Sequence, residues 1–126
     1  MKEILIVGFG GGIGSIARFL SQKGAERLLD SSFPIGTFLV NIIGSFIIGV
    51  VFALSERGNL LTPETRLFLT VGLCGGFTTF STFSYDNFNM LSEKLWQFLI
   101  LNVGGSIFFG ILAVYLGVAA IRLIFQ

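Results

Sequence analysis

The residues best suited to chemistry in this sequence lie at positions 75–84, inside a long apolar segment. Adjacent glycines, phenylalanines, and threonine and serine hydroxyls follow one another there. Hydroxyl groups can donate hydrogen bonds to an anion, and a phenyl ring offers an anion its positive edge. These glycines and hydroxyl residues also weaken a helix, and lipid tolerates interrupted backbone only where it is buried in protein or lines a cavity. We therefore predict that this stretch forms the centre of a polar path through a membrane.

Asn41 is a second candidate, near the middle of the apolar segment 35–54. Its amide N–H groups could face the same path as the stretch 75–84. Alternatively, Asn41 makes an ordinary helix–helix hydrogen bond, which contributes only about 1 kcal/mol in a membrane. The residue type alone favours the helix–helix hydrogen bond, whereas the neighbouring polar stretch in the third segment favours a shared path.

Two charged residues lie at the end of, or inside, apolar segments. Asp86 follows the stretch 75–84, and an acid within a span is a functional candidate by default. It could instead pair with Arg18 or lie close to a membrane face. Arg18 ends the first apolar segment, where its long side chain fits either snorkelling to the lipid headgroups or a place at the mouth of a pore.

The composition is that of a membrane protein. Of 126 residues, 53% are hydrophobic and only 12% are charged, whereas about a quarter of the residues in soluble domains are charged. The formal net charge of +1 gives no basic surface for nucleic acid. The sequence has no histidine and a single cysteine, which excludes an internal disulfide framework, zinc-type ligand sets and a histidine-based enzyme mechanism.

Four apolar segments are long enough to cross the hydrocarbon as helices, which takes about 17–25 residues. We predict an all-α fold with one transmembrane domain over residues 1–126, a third helix broken in mid-membrane, and polar connections at 21–34 and 55–66. The predicted spans cover about 4–20, 35–54, 67–91 and 95–121.

Two local signals refine these spans. Thr62-Pro63-Glu64 is typical of a helix start, with a capping hydroxyl, proline in the first turn and an acid near the positive end of the helix dipole. Glycines spaced four apart within 8–14 are small-residue pairs that let two membrane helices approach closely.

The charges at the span ends give no preferred orientation. An even number of spans puts both termini on one side of the membrane, and lysine and arginine counts decide which side faces the cytoplasm. Lys2, Arg57, Arg66 and Arg122 fall on the side of the termini, against Arg18, Lys23, Arg27 and Lys94 on the other. We therefore predict insertion in both orientations and an antiparallel homodimer with its two-fold axis in the membrane plane.

Three motifs in the first three predicted spans are specific enough to indicate a family. They are Gly10-Gly11-x-x-Gly14-Ser15-x-x-Arg18, then Pro34-x-Gly36-Thr37-x-x-Val40-Asn41-x-x-Gly44-x-Phe46-x-x-Gly49, then Gly72-x-Cys74-Gly75-Gly76-Phe77-Thr78-Thr79-Phe80-Ser81-Thr82-Phe83. The sequence resembles the Fluc (CrcB) fluoride channel family in these motifs. The fourth span is similar mainly in kind, through Gly105-Ser106.

The resemblance implies a dual-topology homodimer in the bacterial inner membrane, with two pores that export fluoride passively. It also implies a structural sodium ion at the dimer axis, held by the backbone carbonyl groups of Gly75 and Thr78. The expected partners are therefore fluoride, sodium, membrane lipid and a second copy of the chain.

The resemblance assigns roles to side chains as well. The implied fluoride pore contains Asn41, Phe80, Ser81, Thr82, Phe83 and Ser106. The implied vestibule or gating residues are Arg18, Thr37, Asp86 and Asn102. The sequence departs from the family at Asp86, where members commonly have Glu, and at Gly110, where a hydroxyl is expected. Asn102 also takes a position often given to other polar or aromatic groups.

Another class of protein is a small dual-topology transporter that exchanges protons for cationic drugs. Such a transporter needs a titratable acid deep in its first span, and here Glu3 precedes that span. A third possibility is a membrane-assembly subunit without transport activity, which would leave the hydroxyl and phenylalanine cluster without a purpose.

Overall fold

The computed structural model describes residues 1–58 and 60–126, and its regular elements are helical. Four helical stretches are long and apolar enough to cross a membrane: Lys2–Leu28, Ile35–Ser55, Pro63–Ser92 and Trp96–Ile124. The prediction of an all-helical chain with four candidate spans is confirmed.

The first helix, α1 (Lys2–Leu28), is longer than its apolar segment. The sequence predicts a polar connection from residue 21 onward, but residues 21–28 continue the helix, and the backbone becomes extended only at Leu29. Hydropathy detects where a segment stops being apolar, whereas glutamine, lysine, alanine, glutamate and arginine all favour helix after that point. The connection to the next helix is correspondingly shorter than predicted.

Two glycines of α1 form its contact with the third span. Gly10 and Gly14 are the buried residues of α1. A Cβ atom on Gly10 would lie 2.9 Å from the carbonyl oxygen of Phe68 and 3.1 Å from the Cα atom of Gly72. By contrast, Gly8 and Gly12 have open space beside them. One of the two predicted glycine pairs therefore makes the close helix approach.

The second helix, α2 (Ile35–Ser55), packs most extensively on the last helix, α6 (Trp96–Ile124). Glycine again permits the approach. A Cβ atom on Gly49 would lie 3.1 Å from the Cα atom of Val114, and one on Gly117 would lie 2.9 Å from the backbone nitrogen of Val50. These backbone contacts show that α2 and α6 pack closely along their length.

The third span consists of several shorter elements. It begins with α3 (Pro63–Leu67), where the Thr62 side chain accepts a hydrogen bond from the backbone N–H of Thr65 at 3.1 Å, as the helix-start signature predicts. A π-helical segment (Phe68–Cys74) and the short α4 (Gly75–Phe77) follow, and after Thr78 and Thr79 the chain continues as α5 (Phe80–Ser92).

Large apolar side chains remain exposed on the outside of these helices. Examples are Phe9, which is 70% exposed, Ile100 at 71% and Tyr115 at 67%. An apolar surface of this kind fits contact with lipid or with another protein chain.

Candidate functional site

The backbone between α4 and α5 leaves helical geometry at two residues. Thr78 has φ −87° and ψ 158°, and Thr79 has φ −151° and ψ 119°, so both are extended. We call these two residues the interruption. The Thr79 side chain then starts α5, because its hydroxyl accepts a hydrogen bond from the backbone N–H of Thr82 at 3.2 Å.

Asn41 on α2 holds the interruption through both ends of its amide. Its Nδ2 donates to the carbonyl oxygen of Thr79 at 3.2 Å, and its Oδ1 accepts from the backbone N–H of Thr79 at 2.8 Å. The sequence left open whether Asn41 faces a polar path or bonds to another helix. The structure shows that it bonds to non-helical backbone beside a cavity, which leaves one hydrogen of its NH₂ group without an assigned acceptor.

The hydrogen bonds accepted by Asn41 Oδ1 and Thr79 Oγ1 use two backbone N–H groups that would otherwise donate within the helix. In a continuous α-helix the Thr79 N–H would donate to the carbonyl oxygen of Gly75, and the Thr82 N–H to that of Thr78. Instead these donors bond to Asn41 Oδ1 and Thr79 Oγ1. The carbonyl groups of Gly75 and Thr78 are therefore released from regular helical bonding, and Gly75 is exposed on the chain's surface.

Arg18 forms a hydrogen bond with the carbonyl group of Gly76, which lies between Gly75 and Thr78 in the sequence. Its Nε donates to the carbonyl oxygen of Gly76 at 2.9 Å. Arg18 forms no ion pair with Asp86 in the described part of the chain, so the alternative pairing considered from the sequence is not formed. The guanidinium instead ties α1 to the third span immediately before the interruption.

One cavity lies beside the interruption and is lined by residues of α2, α5 and α6, with a volume of about 430 Å³. We call it the neutral cavity, because within residues 1–58 and 60–126 no charged side chain lines it. Its polar and aromatic lining includes Asn41, Ser45, Thr79, Phe80, Phe83 and Ser106. Phe80 is 79% exposed, and its ring centroid lies 5.9 Å from that of Phe83.

A second cavity, of about 410 Å³, lies towards the connection between α1 and α2. We call it the acidic cavity, because three carboxyl groups line it. Its lining includes Gln22, Glu26, Thr37, Thr82, Asp86 and Glu93. The Asp86 Oδ2 atom is buried and has no hydrogen-bond partner among the described residues, while Thr37 accepts from Gln22 Nε2 at 3.0 Å.

The site residues named from the sequence thus separate into two groups. Asn41, Phe80, Phe83 and Ser106 share the neutral cavity, while Thr37, Thr82 and Asp86 share the acidic cavity. Hydroxyl groups connect the two, since Thr79 Oγ1 donates to Thr82 Oγ1 at 3.2 Å. Ser81 lies outside both linings, and its Oγ is 3.4 Å from Thr79 Oγ1.

Asn102 lies behind the neutral cavity with a partner that sequence reasoning missed. Asn102 is 1% exposed, and its Nδ2 donates to Asn87 Oδ1 at 2.8 Å. Its Oδ1 accepts from Ser106 Oγ at 3.4 Å. The sequence did contain a signal for Asn87, because Asn87 is an amide residue inside the third predicted span, directly after Asp86.

Comparisons with known proteins give consistent results. The family model described as "CrcB-like protein, Camphor Resistance (CrcB)" matches residues 5–118. A Methanosarcina acetivorans protein named Fluoride-specific ion channel FluC 1 is 49% identical over 118 residues, covering 93% of this chain and 88% of that protein. A Bacteroides fragilis protein named Fluoride-specific ion channel FluC is 50% identical over 120 residues, covering 93% and 94%. A Leptospira interrogans protein of the same name is 44% identical over 119 residues, covering 91% and 94%.

Proposed function

The chain belongs to the CrcB family, and we propose that it is a passive, fluoride-selective ion channel that exports fluoride across the cell membrane. The names of its relatives describe an ion channel and not an enzyme. The structural observation that carries the proposal is the neutral cavity, where Asn41, Phe80, Phe83 and Ser106 lie together without a charged side chain among the described residues.

The neutral cavity suits the chemistry of fluoride. Fluoride is small and strongly hydrated, so a pore has to replace its water with hydrogen-bond donors. The unassigned N–H of Asn41 and the Ser106 hydroxyl provide such donors, and the edges of Phe80 and Phe83 add positive potential. Because none of these groups is ionised, the cavity can attract the anion and still release it, as conduction requires.

The released carbonyl groups fit a hard monovalent cation. Carbonyl oxygens are preferred ligands of such ions. The carbonyl groups of Gly75 and Thr78 have lost the backbone N–H groups that would bond to them in a continuous helix. A single chain offers too few oxygens, so a second antiparallel copy would complete the set across a two-fold axis. This fit supports a central sodium ion that joins the two copies and makes the local field more favourable to anions.

An antiparallel homodimer is part of the proposal. The numbers of lysine and arginine residues on the two sides of the membrane are equal, which permits both orientations. The exposed position of Gly75 allows the same residue of a second copy to approach it. The interruption would then lie in mid-membrane, near the dimer axis. A C-terminal topology reporter found on both sides of the membrane is the expected result, and a reporter on one side only would contradict dual topology.

The drug-transporter alternative is less well supported. The acids of α1, Glu3 and Glu26, lie near its two ends, and neither occupies the middle of the helix, where proton exchange would be coupled to a substrate. The relatives' names add no drug substrate.

The deciding experiment is a flux assay with purified protein in liposomes. With equal fluoride and chloride gradients and a potassium ionophore to balance charge, we expect rapid fluoride efflux, recorded with a fluoride electrode, and negligible chloride efflux. Equal fluxes of the two anions, or no flux of either, would overturn the proposal. Binding of sodium is tested separately by the stability of the dimer in sodium, potassium and N-methylglucamine buffers, where indifference to the cation would contradict the central site.

A further inference from the structure

Three side chains are linked in series by hydrogen bonds, and the last of them lies in the neutral cavity. Asn87 on α5 accepts from Asn102 Nδ2 at 2.8 Å, and Asn102 Oδ1 accepts from Ser106 Oγ at 3.4 Å. Asn102 is 1% exposed, so water has little access to its amide group. Ser106 also lines the neutral cavity, together with Asn41.

In this series of hydrogen bonds, the donor and acceptor of one bond fix the donor and acceptor of the next. An amide side chain has a donor end and an acceptor end. Because Asn87 Oδ1 takes the donor end of Asn102, the acceptor end of Asn102 faces Ser106. Ser106 has one hydroxyl proton, and this arrangement directs it towards Asn102 and away from the cavity.

We propose that Asn87 and Asn102 are positioning residues that control whether the Ser106 hydroxyl donates to fluoride. The inference rests on the proposed fluoride function of the neutral cavity. With no anion present, Asn102 holds the proton of Ser106. When fluoride arrives, the hydroxyl rotates to donate to it, and Asn102 takes the proton back as the anion leaves.

The lengths of the two bonds suit this exchange. The 2.8 Å bond between Asn102 and Asn87 has ordinary geometry and fixes the amide, whereas the 3.4 Å bond from Ser106 lies beyond the usual range for a hydroxyl donor and is weak. A weak competing acceptor lowers the affinity for fluoride without blocking it. Release from the cavity is thereby favoured, which helps a channel more than tight binding does.

The test compares fluoride efflux as a function of fluoride concentration in two backgrounds. The double variant Asn87→Leu/Asn102→Leu removes both partners of the amide bond and so leaves no orphaned polar group. We expect its half-saturating fluoride concentration to fall about two- to threefold, the equivalent of losing one weak competing hydrogen bond. In the Ser106→Ala background, the same double substitution should leave this concentration unchanged, because the proton that Asn102 competes for is gone.

A second variant keeps the test decisive if the double leucine variant fails to assemble. Asn102→Asp is nearly isosteric and presents a stronger, charged acceptor to Ser106, so the half-saturating concentration should rise about tenfold. The rise should be smaller in the Ser106→Ala background, where only the repulsion of fluoride by the new charge remains. Ser55→Ala is the control, because the Ser55 hydroxyl bonds to the Val51 carbonyl at 2.8 Å, away from the neutral cavity.

The outcomes separate this inference from the proposed function. Absence of fluoride flux in the unsubstituted protein would contradict the channel itself. Normal flux with no shift in the double variant, or an equal shift with and without Ser106, would show that the amide pair only holds two helices together. A fall in the half-saturating concentration for Asn102→Asp would also overturn the inference.

Discussion

The neutral and acidic cavities have similar volumes, about 430 and 410 Å³, but opposite chemistry. The first presents an amide, hydroxyls and aromatic edges, and the second presents the carboxyl groups of Glu26, Asp86 and Glu93. Their linings meet at the interruption, where the hydroxyls of Thr79 and Thr82 are hydrogen-bonded. Cavity size therefore does not distinguish the two, and the proposal that the neutral cavity is the anion site rests on the type of lining group.

Under the proposed function, the difference predicts separate tasks for the two cavities. A carboxylate within a few ångströms of an anion is strongly repulsive at low dielectric, so dehydrated fluoride fits the neutral cavity. The acidic cavity includes the exposed side chains of Glu26 and Glu93, so it is open to water. Fluoride there can keep its hydration, which makes a vestibule the appropriate interpretation.

The strongest test introduces the same negative charge into each cavity. Asn41→Asp replaces the donor end of the amide with an oxygen beside the fluoride path, and we expect fluoride efflux to fall at least about 100-fold, since nearby like charges at intermediate dielectric cost several kcal/mol. The substitution also removes the bond to the Thr79 carbonyl. Efflux from liposomes and dimer content by size-exclusion chromatography are measured together.

Asn89→Asp is the matched control, because Asn89 lines the acidic cavity. One more carboxylate among three should reduce efflux by less than about tenfold at physiological salt, where exposed charges are screened. Similar losses in the two variants would remove the functional distinction between the cavities.

A smaller effect is expected from removing the aromatic edges. Phe80→Ile and Phe83→Ile preserve apolar volume but delete the positive ring edge, and each should lower fluoride efflux about tenfold, the equivalent of roughly 1.4 kcal/mol of anion stabilisation. Phe88→Ile is the control, since Phe88 is 61% exposed on the same helix and lines neither cavity. If all three variants behave alike, the two rings only contribute packing.

Much of the framework behind this comparison could be predicted from the sequence. Apolar length identified the four candidate spans, and the Thr62 cap and the Gly10–Gly14 pair were recognisable because each is a local pattern with a direct structural consequence. Residues 21–28 were misassigned because a helix can continue past the apolar segment that reveals it.

The details of the site depend on contacts between distant residues, and these were not predictable. Asn41 bonds to a backbone group 38 positions away, and Asn102 bonds to Asn87 across two helices. Phe83 and Asp86 lie three residues apart on the same helix, α5, and so on neighbouring faces. Which cavity each of them faces depends on how α5 is turned against the other helices after the π-helical segment and the interruption, and helical periodicity does not give that orientation. The motif named candidate residues, and the structure shows how the two cavities divide them.

The smallest expected effect concerns the acidic cavity alone. Asp86→Asn removes one carboxyl group whose Oδ2 has no partner in the described residues, while the amide keeps nearly the same shape. If the acidic cavity is only a hydrated vestibule, its negative potential slightly opposes the approach of an anion, so efflux should rise about twofold at low salt and by less at high salt. A tenfold loss of efflux at both salt concentrations would instead place Asp86 in direct contact with the conducted ion, and the acidic cavity would become a second part of the selective path.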